Sequence, residues 1–149
     1  MIILEADRDT AEADQRNLLA RAEALHSQLR PRIPPPYADY LIGMFAQGAH
    51  LAVLFAEERA RALTVWRCYS NTYHGRHLFV DDLVAEESER GHGWGGKLLG
   101  FLEQRARTLG CDNFVLDSGV QRERAHRFYF RAGFTIRSFH FVKPLSDRF

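Results

Sequence analysis

Four glycines within six residues, in the segment ERGHGWGGKLL from Glu89 to Leu99, constrain the fold of this chain more than any other feature. A β-rich apolar run precedes the segment, and an amphipathic helical pattern follows it. Glycine loses more backbone freedom on ordering than any other residue, so this density is costly in a plain connection. Backbone N–H groups and the positive end of a helix dipole suit a pyrophosphate. The segment therefore predicts a strand, an anion-binding loop and a helix in succession.

The loop fits a dinucleotide-binding pattern, G-x-G-x-x-G, through Gly91, Gly93 and Gly96. In that fold the first glycine follows the strand almost directly, whereas here the residues AEESER intervene. Asp117 stands where a ribose-binding acid is expected, but only 32 residues follow it. That length is too short for a second nucleotide-binding half, which disfavours a dehydrogenase.

Two other patterns compete for the same loop. A triphosphate-binding P-loop would use Lys97, but the next residue is Leu98, so the hydroxyl that holds Mg²⁺ is missing. The remaining pattern, R-x-x-G-x-G, is met by Arg90, Gly93 and Gly95. A flexible turn without a ligand is the structural alternative.

Composition limits the class of protein. A chain of 149 residues suffices for one well-buried domain, so we expect a single domain over residues 1–149. Its 46% hydrophobic and 26% charged residues are typical of globular proteins and argue against disorder or a membrane span. The net charge of +1 argues against a nucleic-acid partner held by bulk electrostatics.

The cysteines and the first residues restrict the chemistry and the compartment. Cys68 and Cys111 have neither a C-x-x-C nor another metal-ligand spacing, so we expect two buried thiols, no disulfide framework and no metal site. The start, MIILEADRDTAEADQ, has no apolar run long enough for a signal peptide or a membrane helix. The expected location is cytoplasmic.

The first part of the chain predicts an antiparallel sheet with two helices. A short strand at Ile2 to Leu4 precedes a helix that Asp9 or Thr10 would cap. The prolines of RPRIPPPY end that helix, and a second helix, YADYLIGMFAQG, stops at Gly48. Three β-rich runs follow without intervening helices, the first two joined as a hairpin: HLAVLFAEE, RALTVWRCY and RHLFVDDLV.

The pattern changes after the third run. A helix from Trp94 to Leu109 ends at Gly110, and the strand NFVLD would lie parallel to FVDDLV across this helix. A last helix runs from about Arg122 to Gly133, and FTIRSFHFV is predicted to close the chain as a strand. The expected fold class is α+β, with one parallel step around the glycine loop.

Three segments in order resemble the GNAT superfamily of acetyl-CoA-dependent N-acetyltransferases. They are the strand FVDDLVA, the R-x-x-G-x-G loop and helix RGHGWGGKLL, and AHRFYFRAGF, which matches the family's A-x-x-x-Y-x-x-x-G-F segment. The match covers Leu78 to Phe134. The resemblance implies a mixed, mostly antiparallel sheet with a central splayed pair of parallel strands and helices on both faces. It also implies acetyl-CoA as cosubstrate.

The same resemblance assigns the coenzyme contacts. The backbone of Leu83, Val84 and Ala85 would pair with the pantetheine arm as if it were a further strand. The pyrophosphate would be held by the loop residues Arg90, Gly91, His92, Gly93, Trp94, Gly95 and Gly96. Lys97 becomes a first-turn helix residue rather than a phosphate ligand.

Amine acetylation requires a base, because an alkyl amine with a pKa near ~10.4 is almost wholly protonated at neutral pH. The run VDDL offers Asp81 and Asp82. We expect Asp81 or Asp82 to be the water-linked base, with Asp81 first, since its spacing is similar to that of the first acid in the Glu-Asp-aromatic strand of spermidine/spermine N-acetyltransferases. Strand alternation puts the two carboxylates on opposite faces unless a bulge intervenes. Ion pairing on the sheet is the structural alternative for either acid.

The leaving thiolate needs a proton, and Tyr129 matches the family's general acid. A core aromatic is its structural alternative. His126 is interpreted as a structural residue. Asp117 and Ser118 end the second parallel strand, where they would either approach the acetyl group or cap the following turn.

We therefore expect an N-acetyltransferase that acts by direct attack of a primary amine, the acceptor being a small molecule, with a polyamine-like compound favoured by the acid pair. Neither nucleic acid nor membrane is expected as a partner, and a homodimer is common in the family. The alternative is a non-catalytic coenzyme A-binding sensor or interaction module, which His92 and Arg122 motivate because they depart from the family's usual residues.

Overall fold

The computed structural model describes residues 1–86 and 92–149 of the chain. Two compact units are present, Met1–Val115 and Leu116–Phe149. In chain order the elements are β1 (Ile2–Ala6), α1 (Glu12–Leu29), α2 (Tyr37–Ala46), β2 (His50–Ala56), β3 (Arg59–Asn71), β4 (Gly75–Ala85), α3 (Trp94–Thr108), β5 (Asn113–Leu116) and α4 (Glu123–Arg131).

The five strands form one mixed sheet in the order β1-β2-β3-β4-β5. Each of the first four strands pairs antiparallel with the next. The predicted hairpin of β2 and β3 is confirmed, and its two turn residues, Glu57 and Glu58, have φ of 52° and 60°. Positive φ at both positions is typical of the tight hairpin turns that match the strand twist. β5 follows the crossover helix α3 and forms the one parallel pair with β4, as the sequence predicted.

Helices cover both faces of the sheet because the strands alternate. In β2, Leu51, Val53 and Phe55 point into a core built with α1 and α2. Ala52 and Leu54 point the other way and pack against Leu98 of α3. We call these the α1/α2 face and the α3 face.

The cap predicted for the first helix was wrong. α1 begins after Ala11, which makes no side-chain capping bond. The Thr10 hydroxyl instead accepts a hydrogen bond from the Asp7 backbone N–H at 3.1 Å. Thr10 therefore stabilises the turn between β1 and α1, and its oxygen is used before the helix starts.

The predicted closing strand is also absent. Residues 134–149 carry no strand, although FTIRSFHFV has a β-rich composition. Phe139 and Phe141 are 78% and 92% exposed. A β-rich run becomes a strand only where a neighbouring strand supplies a ladder of hydrogen bonds. The preceding helix was predicted correctly, and Gly133 follows it with a φ of +91°.

Candidate active site

The acid pair lies at a β-bulge. Val65 of β3 is opposite Asp82, whereas the adjacent Trp66 is opposite Val80, so Asp81 is an extra residue in β4. A bulge leaves the extra residue out of the ladder and redirects its side chain. The carboxylates of Asp81 and Asp82 were expected on opposite faces of the sheet unless a bulge intervened, and a bulge is present.

Both carboxylates lie on the α1/α2 face. Asp82 is opposite Val65, and Val65 belongs to the core of that face. Asp81 accepts a hydrogen bond from the side chain of Arg67, two residues after Val65 and therefore on the same face. The bulge thus brings two neighbouring acids to one side of the sheet.

Asp82 is fixed by partners from α1. Nε2 of the buried His26 donates to Oδ2 at 2.9 Å, and Nε of Arg30 donates to Oδ1 at 2.6 Å. The other ring nitrogen of His26 lies 3.0 Å from the Tyr37 hydroxyl. Burial alone would raise the pKa of Asp82, but the hydrogen bonds and charges of His26 and Arg30 outweigh it and lower the pKa. Asp82 is therefore a firmly ionised anchor for α1.

Asp81 has a different environment. Its Oδ2 accepts one hydrogen bond, from Nε of Arg67 at 2.7 Å. Burial raises the pKa of Asp81 by more than Arg67 lowers it, so this carboxyl holds a proton more readily than an ordinary aspartate. It borders an open pocket of about 440 Å³, lined by Gln47, Gly48, Arg67, Cys68, Tyr69, Phe79 and Asp81. Of the two acids, Asp81 is the one that borders this pocket.

The last residues of β4 have backbone N–H and C=O groups on the side where β5 has already ended. The N–H of Asp112, just before β5, donates to the carbonyl of Arg76. Parallel strands advance by nearly equal steps, so the four residues of β5 end near Asp81. Leu83, Val84 and Ala85 pair with β3 on one side and extend past β5 on the other. This is the segment for which the resemblance predicts contacts with the pantetheine arm.

A pair of charged side chains secures the same end of β4. Arg61 of β3 donates to Glu86 at 2.8 Å, and both side chains are largely buried. The N–H of Glu86 also donates to the Arg61 carbonyl. Glu86 is the last residue described before the glycine loop. The strand therefore enters that loop from a fixed position.

The N-terminus of α3 is open to an anion. Gly93 caps the helix with a φ of +75°, and no side chain of residues 1–86 or 92–149 caps it. The first turn, which contains Gly95 and Gly96, has no acidic residue. The first N–H groups of a helix have no partners within it, so these amides and the dipole suit a phosphate group. Arg90 and Gly91, also predicted to bind the pyrophosphate, lie outside the described residues.

Two side chains around this helix end, His92 and Lys97, lie beside the Trp94 ring. Trp94 packs against the cluster of the α3 face that contains Leu98. The Lys97 ammonium lies 4.4 Å from the centre of the Trp94 ring, and the His92 ring is stacked 6.3 Å from it. Lys97 is a first-turn residue of α3.

Tyr129 belongs to the second unit, Leu116–Phe149. It lies on α4, half-buried, with the rings of Phe128 and Phe134 at 5.2 and 5.8 Å. Burial raises the pKa of its phenol, and Arg122 opposes this only in part. In the same unit the Asp117 carboxylate pairs with His140 at 2.8 Å.

The ring of His126 is held by a backbone group. Its Nε2 donates to the Gly119 carbonyl at 2.8 Å. The interpretation of His126 as a structural residue is consistent with this contact.

Sequence reasoning missed the partners of the two acids, which are His26, Arg30 and Arg67, and it missed Tyr37, whose hydroxyl contacts the His26 ring. Two of them carried a signal. His26 lies four residues after Ala22 on the apolar face of α1, and Arg67 interrupts the apolar run LTVWRCY. A polar side chain on a face that faces the core needs a partner, so each position pointed to a buried contact.

Among residues 1–86 and 92–149, no group of three or more His, Cys, Asp or Glu side chains is arranged to hold a metal ion. No helix in these ranges is long and apolar enough to cross a membrane.

A sequence model of the acetyltransferase (GNAT) family matches residues 18–134. The chain belongs to this family. It is accordingly an acetyl-CoA-dependent N-acetyltransferase, the class of protein to which the R-x-x-G-x-G pattern pointed.

Two relatives of this chain are named as N-acetyltransferases. An uncharacterized N-acetyltransferase of Bacillus subtilis, YhdJ, is 38% identical over 96 residues, which are 64% of this chain and 68% of that protein. The aminoalkylphosphonate N-acetyltransferase of Salmonella typhimurium is 36% identical over 66 residues, 44% of this chain and 43% of that enzyme.

Among solved structures, the aminoglycoside N-acetyltransferase AAC(6')-Iy in complex with CoA has a TM-score of 0.76 at 15% identity. The alignment covers 97% of this chain and 95% of that one. At this identity the likeness shows the fold, a mixed and mostly antiparallel sheet with helices.

Proposed function

We propose that this acetyltransferase transfers the acetyl group of acetyl-CoA to the primary amine of a small molecule by direct attack, with Asp81 as the water-linked base. The observation that carries the proposal is the bulge in β4. It turns the Asp81 carboxylate toward the pocket, while Asp82 is occupied by His26 and Arg30.

The environment of Asp81 supports the role of base. A general base works best when its pKa is close to the pH at which the enzyme works. Burial moves the pKa of Asp81 upward, toward neutrality. The hydrogen bond from Arg67 fixes the orientation of the carboxylate through one oxygen. An amine that enters as the ammonium ion would lose its proton through water to Asp81, and the free amine would attack the thioester carbonyl.

The coenzyme site fits the residues that the resemblance assigns. Acetyl-CoA supplies the reactive thioester. The backbone of Leu83, Val84 and Ala85 would bind its pantetheine arm, and the uncapped first turn of α3, with Gly93, Gly95 and Gly96, would bind its pyrophosphate. The predicted contacts of Arg90, Gly91, His92 and Trp94 remain part of this proposal.

Tyr129 is proposed as the general acid. Burial raises the pKa of its phenol, so the group is protonated at neutral pH and has a proton to give. The departing thiolate of coenzyme A would take up this proton as the carbon–sulfur bond breaks. Asp81 lies in the first unit and Tyr129 in the second. We propose that both belong to one N-acetyltransferase domain over residues 1–149.

The proposed acceptor is a cationic amine on a small carbon skeleton, such as a polyamine. The pocket combines the Asp81 carboxylate with the rings of Tyr69 and Phe79, which suit an ammonium group and an apolar stem. One relative, the Salmonella typhimurium enzyme, is named for an aminoalkylphosphonate, which is a small amine.

The test measures release of the coenzyme A thiol from acetyl-CoA over a panel of polyamines, aminoalkylphosphonates, aminoglycosides and peptide amines. Asp81→Asn should lower kcat by about 10²-fold or more, the contribution of one general base, and flatten the rise of kcat with pH. Asp82→Asn is the matched control. It should keep the pH profile of the unaltered enzyme.

Calorimetry with acetyl-CoA separates the two halves of the proposal. Both variants should bind the coenzyme as the unaltered chain does. Binding without turnover over the whole panel would contradict the catalytic proposal. A flattened pH profile in Asp82→Asn alone would move the role of base to Asp82.

A further inference from the structure

The two cysteines, 43 positions apart in the sequence, meet in the fold. Their Sγ atoms are 3.6 Å apart, and both residues are partly exposed. Cys68 lies on β3, and Cys111 lies in the connection between α3 and β5. The expectation of two buried thiols is therefore corrected, because both are partly exposed and their sulfur atoms are in contact.

Strand alternation explains why the two side chains meet. Arg67 faces the α1/α2 side with Asp81, so the next side chain, Cys68, points to the α3 face. Cys111 follows α3 directly and reaches the same side. The meeting of the two thiols thus results from the crossover that forms the parallel strand pair.

Backbone hydrogen bonds hold the second cysteine in place. The N–H of Cys111 donates to the Ala106 carbonyl at the end of α3, at 2.9 Å. The N–H of the next residue, Asp112, donates to the Arg76 carbonyl at 2.7 Å, and its side chain accepts the Arg76 N–H at 3.0 Å. Cys111 is therefore anchored on both sides and does not depend on a loose loop to meet Cys68.

We propose that Cys68 and Cys111 form a modification site that closes to an intramolecular disulfide on contact with a low-molecular-weight disulfide such as glutathione disulfide. Closure requires the sulfur atoms to approach from 3.6 Å to about 2.05 Å. Rotation of the two side chains toward each other supplies this movement.

The chemistry is two successive thiol–disulfide exchanges. One cysteine loses its proton, and its thiolate attacks the glutathione disulfide, forming a mixed disulfide and releasing a glutathione thiolate that takes up a proton. The second cysteine loses its proton and attacks the protein sulfur of that mixed disulfide, releasing the second glutathione. The two protein thiols are oxidised by two electrons, and one glutathione disulfide is reduced to two thiols.

The rate should rise with pH. Burial and the neighbouring Cys68 sulfur raise the pKa of the Cys111 thiol to about 11, so little of it is thiolate at neutral pH. The charged groups next to it act in opposite senses: Arg76 favours the thiolate and Asp112 disfavours it.

The test treats the full chain with glutathione disulfide at mildly alkaline pH and follows it by intact-mass spectrometry and thiol titration. The unaltered chain should lose both thiols and the mass of two hydrogen atoms, and dithiothreitol should restore both. Cys68→Ser and Cys111→Ser should instead each gain one glutathione. The oxidised chain should melt at a higher temperature than the reduced one, a difference that Cys111→Ser should lack, because the bond closes a loop of the unfolded chain.

Four outcomes would overturn the proposal. The first three are addition of two glutathiones to the unaltered chain, formation of a covalent dimer, and retention of both thiols under conditions that modify the single variants. Failure of all three proteins to react would also refute it, because the thiols would then be out of reach of the oxidant. None of these measurements needs a substrate, so the result is independent of the proposed function.

Discussion

Asp81 and Asp82 are adjacent and chemically identical, yet removing their charges should change stability in different ways. In Asp82→Asn the hydrogen bonds of His26 and Arg30 lose their charged acceptor. A hydrogen bond to a charged group contributes about 1.5–3 kcal/mol. The side chain of Arg30 is 49% exposed and regains water, so its share is small, whereas His26 is buried. We expect a loss of about 2 kcal/mol at neutral pH.

Asp81→Asn should cost little or increase stability. The variant loses the bond from Arg67, but it also loses a negative charge that burial disfavours, as the raised pKa of Asp81 indicates. We expect a change of less than about 0.5 kcal/mol, in either direction. The variant predicted to lose most activity is thus the one predicted to keep its stability.

Urea unfolding and thermal melting of the three proteins at neutral pH test this contrast. For a chain of this length a loss of 2 kcal/mol lowers Tm by roughly 4–8 °C. An equal loss in both variants, or a larger loss in Asp81→Asn, would refute the distinction between an anchoring and a reactive carboxylate.

The stabilities of the Asp81→Asn and Asp82→Asn variants should also differ in how they depend on pH. The folded pKa of Asp82 lies below its ordinary value of 3.8, so its contribution is present above that pH and is lost as the pH falls through the folded pKa. The deficit of Asp82→Asn should therefore disappear in acid. The folded pKa of Asp81 lies above 3.8, so protonation favours the folded state, and this contribution is lost as the pH rises through the folded pKa. Any advantage of Asp81→Asn should therefore appear only above pH 3.8.

Three further substitutions have specific expected outcomes. Tyr129→Phe should lower kcat by about 10²-fold with acetyl-CoA affinity unchanged; equal loss of both, by kinetics and calorimetry, would identify a packing residue. Gly93→Ala should cost about 1 kcal/mol in urea unfolding, because its φ of +75° strains a side chain that has open space around it. Leu98→Ala should cost about 2–5 kcal/mol, since Leu98 is fully buried between α3 and the sheet, and a loss under 1 kcal/mol would contradict that packing.

The elements that the sequence predicts correctly are those whose own residues determine them. The helix after the glycine loop has its apolar positions on one face, and Leu98, Leu102 and Ala106 are buried as that pattern requires. The β2–β3 hairpin has two β-rich runs and a short charged turn. The segment FTIRSFHFV has a similar local signal, but a strand also needs a neighbour, and the local pattern contains no information about one.

For the candidate site, the sequence supplies the residues but not their surroundings. The order of strand, glycine loop and helix indicates the proposed coenzyme segment, and the run VDDL indicates the acids from which the base is proposed. The environment of each acid was not predictable, because Arg67 is 14 positions from Asp81 and His26 is 56 positions from Asp82. Contacts over such separations follow from the completed sheet and the helix that packs on it, so no local pattern contains them.

The bulge in β4 determines that Asp81 and Asp82 lie on the same face of the sheet. In a regular strand one of two neighbouring acids would face α3, and the two would not share a site. The extra residue at Asp81 keeps both on the α1/α2 face, where Asp82 ties β4 to α1 through His26 and Arg30. Because Asp82 takes these two partners, Asp81 is left with the single bond from Arg67 and with burial that raises its pKa. A structural acid beside it is therefore part of what makes Asp81 suited to accept a proton.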